Sequence, residues 1–117
     1  MSAAESAAND RGSAVAEFAV AMPAVLLVLA TALDGVQLAG LQLQAQDAAA
    51  DAARSYARGE TAGLVAARLQ WQVPGASVVR SVRGDLVCAR VAVTPSGPVA
   101  RLGVTAVGMS CALAGGR

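Results

Sequence analysis

The sequence contains no lysine and no histidine, and all nine of its cations are arginines. Without these two residue types the commonest proton-shuttling and amine chemistry is missing, so no catalytic residues are expected. Aromatic residues are equally scarce. Phe18, Tyr56 and Trp71 are the only three, 3% of the chain, too few to build a stacking platform for bases or sugars. Charge of one sign is also lacking: nine Arg against eight acidic residues leave a formal charge of +1. That supplies no long-range field to gather nucleic acid or acidic substrates. Cysteine is limited to Cys88 and Cys111, with no CxxC spacing and no histidine beside them. Neither a metal nor another cofactor is expected. If the C-terminal part lies outside the cytoplasm, the even pair reads as one disulfide. With 117 residues, the chain makes one domain at most.

What is abundant is aliphatic: 56% of residues are hydrophobic, mainly Ala, Val and Leu. Met1 to Gly12 (MSAAESAANDRG) is small, polar and patternless, which reads as an unstructured leader over 1–12. Ser13 to Leu33 is apolar throughout except for Glu17. Its uncharged stretch covers about 16 residues, extended to about 20 by Ala14 to Glu17, enough for a transmembrane helix over 13–34. Pro23 removes one helix hydrogen bond there, which lipid-buried helices tolerate when neighbours satisfy the freed group. Asp34 has two readings, an outer membrane boundary or a buried partner within a bundle.

Beyond it, Gln37, Gln44, Asp47, Asp51, Arg54 and Arg58 recur at helical steps and form one polar stripe. Val36, Leu43, Ala50, Ala53 and Ala57 are among its apolar neighbours. Leu41 to Gln46 (LQLQAQ) alternates like a strand, but the Ala-rich run after it favours helix. Gly59 stops the helix, so 35–59 reads as a helical stalk. A helix from Ser13 to Arg58 would span roughly 69 Å. Gly35 and Ala39 form a small-xxx-small pair suited to helix packing, although in so Ala-rich a chain such pairs also arise by chance.

The rest, 60–117, reads as a small α+β head. Thr61 to Gln70 is a short second helix with Leu64, Ala67 and Leu69 inward, broken by Pro74-Gly75. Three antiparallel strands follow over Ser77–Val82, Leu86–Thr94 and Val104–Leu113. Arg83-Gly84-Asp85 is the hairpin between the first two, and Pro95 to Pro98 opens a looser connection. Val87, Ala89, Val91 and Val93 form the apolar face of the middle strand, with Cys88 on the other side. A Cys88–Cys111 bridge across neighbouring strands would be worth roughly 3 kcal/mol, although the strand register stays open.

The segment Arg11-Gly12-Ser13-Ala14-Val15-Ala16-Glu17-Phe18, just ahead of the apolar run, resembles the processing site of type IV prepilins. It is most similar to the TadE-like minor pilins of the tight-adherence (Flp) pilus system. AEFAVAMPAVLLVL, Asp34-Gly35 and the Ala-rich stretch ending in Arg-Gly-Glu extend the resemblance over about Arg11 to Glu60, half the chain. The head is only loosely similar. The resemblance implies a structural protein, not an enzyme, cut by a prepilin peptidase between Gly12 and Ser13. It further implies that Glu17, followed by Phe18, pairs with the new N-terminal amine of a neighbouring subunit during assembly; the plainer reading leaves Glu17 solvated at the membrane interface. The implied partners are the peptidase, other pilin subunits and the membrane assembly platform. Neither nucleic acid nor a small-molecule substrate is expected. The positive-inside rule places Arg11 and the N-terminus in the cytoplasm and the head outside, in the membrane or in an extracellular pilus. Two other readings stand beside this one. Ala30-Thr31-Ala32 is an A-x-A site at which signal peptidase would release a secreted soluble domain. An uncleaved single-pass accessory protein is the other.

Overall fold

A computed structural model describes residues 3–115, with side chains from residue 10 onward; Met1 and Ser2 of the leader and Gly116 and Arg117 of the head lie outside the described residues. The architecture is α+β. Helix α1 runs Ala3–Ala57 and helix α2 runs Ala62–Gln72. Strands β1 (Ser77–Arg83), β2 (Leu86–Val93) and β3 (Ala106–Leu113) follow, with a 3-10 helix at Gly97–Leu102 between the last two. The chain divides into two compact units, Met1–Gly35 and Val36–Arg117.

The first unit is entirely the N-terminal part of α1. Residues 3–12, expected without structure, are helical. The reason is their content of Ala3, Ala4, Ala7 and Ala8, the residue type that enters a helix at least cost. The helix continues through Pro23.

The second unit holds the core. The C-terminal part of α1 buries Ala45, Ala48, Ala49, Ala52, Ala53 and Tyr56, a stripe at alternating steps of three and one. Alanine's small side chain lets a sheet approach the helix closely. The facing side of β2 supplies Val87, Ala89, Val91 and Val93, all buried as their alternation requires. Val36 and Leu43 remain exposed, because they lie off the stripe on which Leu38, Leu41 and Ala45 turn inward.

Gly59 adopts φ 88° and ends α1. The Glu60 amide donates to Ser55 O and the Gly59 amide to Tyr56 O, the paired bonds of a Schellman stop. The Gly115 amide bonds Ala57 O, satisfying another orphan carbonyl of that helix end. Thr61 caps α2, its hydroxyl accepting from the Leu64 amide at 3.3 Å. This helix turns Val65 and Leu69 inward. The expected inward positions Leu64 and Ala67 are instead exposed, along with Trp71. Leu69 is common to both readings; Val65, at i−4 from it, wins because it meets Tyr56, Ala52 and Val87.

The sheet has the order β1-β2-β3, antiparallel throughout. Gly84, at φ 58°, and Asp85 form a two-residue turn closed by the Arg83–Leu86 pair. β3 begins at Ala106 rather than Val104. The 3-10 turn and Gly103, at φ 68°, occupy the residues before it.

Candidate functional site along helix α1

Every residue expected to act in processing or assembly lies on α1. Gly12 is exposed, and a Cβ placed on it would meet nothing within 4 Å. Its backbone is thus sterically accessible, and glycine weakens the helix there by about 1 kcal/mol relative to alanine. Ser13 and Glu17 are one turn apart on one face of α1. Both are exposed, and no ion pair among the described residues uses the Glu17 carboxylate. Phe18, adjacent in sequence, is 64% exposed.

From Phe18 to Leu33 the helix is apolar on every side. Val25, Leu26, Leu27, Val28 and Leu29 are consecutive, cover more than one full turn and are all exposed. The helix is long and apolar enough to cross a membrane, and none of its apolar window is buried within the chain. Thr31, the one hydroxyl in this stretch, donates back to its own helix at Leu27 O (2.9 Å) or Val28 O (2.8 Å). That contact removes the cost of carrying a hydroxyl into hydrocarbon. Pro23 leaves the Ala19 carbonyl without its helical donor. Gly35 and Ala39 are exposed, with open space where a Cβ on Gly35 would stand. Asp34 is half-buried.

Further along, α1 acts as a clasp on the sheet. The Gln42 side-chain amide donates to Val107 O at 2.7 Å. Gln46 makes two bonds with Met109: its amide donates to Met109 O at 2.8 Å, and its carbonyl oxygen accepts from Met109 N at 3.3 Å. Both contacts meet the outer edge of β3, so two side chains one turn apart replace the missing neighbouring strand. Between their targets lies Gly108, buried against the backbone of Ala45 and Gln46. These residues were not singled out by sequence reasoning. The LQLQAQ alternation was their signal: it reads as a strand, yet Gln42 and Gln46 are also four residues apart, one face of a helix.

Cys88 and Cys111 are directly paired across β2 and β3 and form a disulfide. Glu60 ion-pairs Arg58 at 3.1 Å and Arg68 at 3.0 Å. Both guanidinium groups also donate to the hydroxyl of Ser55, which is buried. The cluster ties the end of α1 to α2.

No curated protein and no solved structure matches the chain. A family model does: it is described as TadE-like protein and opens on Gly12, and the similarity extends over residues 12–54.

Proposed function

We propose that this chain is a minor, pseudopilin-like subunit of a Flp/Tad-type type IV pilus, matured by a prepilin peptidase that cuts between Gly12 and Ser13. The observation that supports this reading most is a coincidence of position. The TadE-like match opens at Gly12, shortly before the stretch of α1 that is apolar on all sides and uncovered by the rest of the chain. A helix of that kind needs lipid or other helices around it. Residues 13–34 serve as the membrane anchor, 35–59 as the helical stalk, and 60–117 as a head outside the cytoplasm, where a disulfide persists.

Glu17 gives the anchor its chemistry. A carboxylate near the end of a lipid-embedded segment is costly unless it finds a cation. Cleavage after Gly12 creates one, the α-amine of Ser13, which a neighbouring subunit presents to Glu17 as its helix enters the filament. Gly35 and Ala39 then let helices approach closely. The peptidase, neighbouring pilins and the assembly platform are the partners. Substituting Gly12→Leu tests the processing step, because a branched side chain fills the cleavage position. Accumulation of the uncleaved chain in the membrane is the expected result. A variant still trimmed to Ser13 overturns the assignment.

A further inference from the structure

The fold treats the two edges of its sheet differently. Gln42 and Gln46 close the β3 edge, occupying Val107 O and both backbone groups of Met109. The β1 edge has no such cover. Every residue of β1 except Val78 is exposed, and among the described residues no side chain bonds its backbone. The two-residue turn fixes which groups are open. It makes Arg83–Leu86 a mutually bonded pair, so alternate residues Val78, Arg80 and Val82 direct their N–H and C=O away from β2.

Charge determines what fits there. β1 carries Arg80 and Arg83, and Arg90 stands opposite Val79 on β2. Asp85 is the single acid across residues 61–115. None of these three arginines enters an ion pair among the described residues. Arg80 stacks over the Tyr56 ring, 5.6 Å from its centroid. The only charged residues a second copy of β1 would bring are further arginines, which is unfavourable wherever two stand directly opposed. The same charges favour a strand with carboxylates.

We propose that the β1 edge is a docking site for an extended, acidic segment of a partner protein, which joins the sheet as a fourth strand. Its backbone pairs with Val78, Arg80 and Val82. Two of its side chains, three residues apart and therefore on opposite faces, place one carboxylate beside Arg80 on the helix-facing side and another beside Arg83 on the outer side, with β-branched residues between. This goes beyond the pilin reading and does not depend on it.

The test uses the full-length chain in detergent micelles, with backbone amides followed by NMR and hydrogen exchange. The probe is a short, end-capped synthetic peptide centred on Glu-Val-Val-Glu, which carries its two carboxylates on opposite faces, compared with its Lys-Val-Val-Lys counterpart. The acidic peptide is expected to slow exchange at Val78, Arg80 and Val82. Arg83→Glu should weaken its binding about fivefold, the scale of one reversed cross-strand pair. Val82→Pro should abolish binding, since it deletes an outward donor, while the amides shared by β2 and β3 stay protected. Equal binding of the lysine peptide, unchanged exchange at the three amides, or self-association through β1 overturns the proposal. Arg83→Glu remains decisive even if Val82→Pro unfolds the head.

Discussion

Gly108 of β3 lies so close to Ala45 of α1 that a methyl group on it would overlap the Ala45 carbonyl carbon and oxygen. The obstacle is helix backbone, which cannot swing aside as a side chain does. Gly108→Ala is therefore expected to destabilise the head by about 1–3 kcal/mol, the usual cost of overpacking. Gly63→Ala, placed in the first turn of α2 with nothing nearby, is the control and should be neutral or mildly stabilising. Denaturant unfolding of both variants gives the comparison, and equal stability would show that helix and sheet do not meet at Gly108.

The glutamine clasp makes a graded prediction. Gln46→Ala loses two bonds to Met109 and Gln42→Ala one to Val107. Each is worth about 1 kcal/mol net, and these sites are exposed enough for water to compensate in part. Gln46→Ala should thus cost more than Gln42→Ala. The double variant should aggregate faster, because it uncovers the β3 edge. Unfolding midpoints and light scattering read the two effects.

Little of this clasp was legible beforehand, and the reason is geometric. Alternation over Leu41 to Gln46 is compatible with a strand, and the helical reading leaves the target of the glutamines unspecified. Nor does sequence show that Gly108 meets a helix, since glycine in a strand has several uses. Features set by local chemistry were readable. Gly59 ends α1, Gly84-Asp85 turns the hairpin, and Val87 to Val93 alternate into the core. In α2 the apolar residues are dense enough that two faces satisfy the periodicity, and only contact with Tyr56 selects Val65 over Leu64. Over residues 3–12 the polar residues suggest no structure, whereas the alanines decide the backbone. The disulfide was legible as a pairing of two cysteines, while its register needed the loop between Val93 and Ala106.

That disulfide closes a loop with a sequence separation of 23 in a head whose core meets a single buried ring, Tyr56 of α1, among the described residues. Reduction should lower the stability of the head by roughly 3 kcal/mol. Cys88, with 1% of its surface exposed, must also be accommodated as a buried thiol. Thermal unfolding with and without a reductant measures the difference; a shift near zero would mean that the core alone holds the strands.

Glu17→Ala separates assembly from processing. The carboxylate lies one turn beyond Ser13, the first residue after the proposed cut, and outside every ion pair among the described residues. Its loss should leave cleavage largely intact while reducing the amount of the chain found in sheared pili. Normal pilus number and composition in that variant would remove the pairing role.

The most direct measurement is the N-terminal sequence and intact mass of the protein recovered from native membranes. The account predicts a chain beginning at Ser13, with the apolar helix retained and Glu17 as its fifth residue. A chain beginning at Leu33, released by signal peptidase, or an intact Met1 would contradict it.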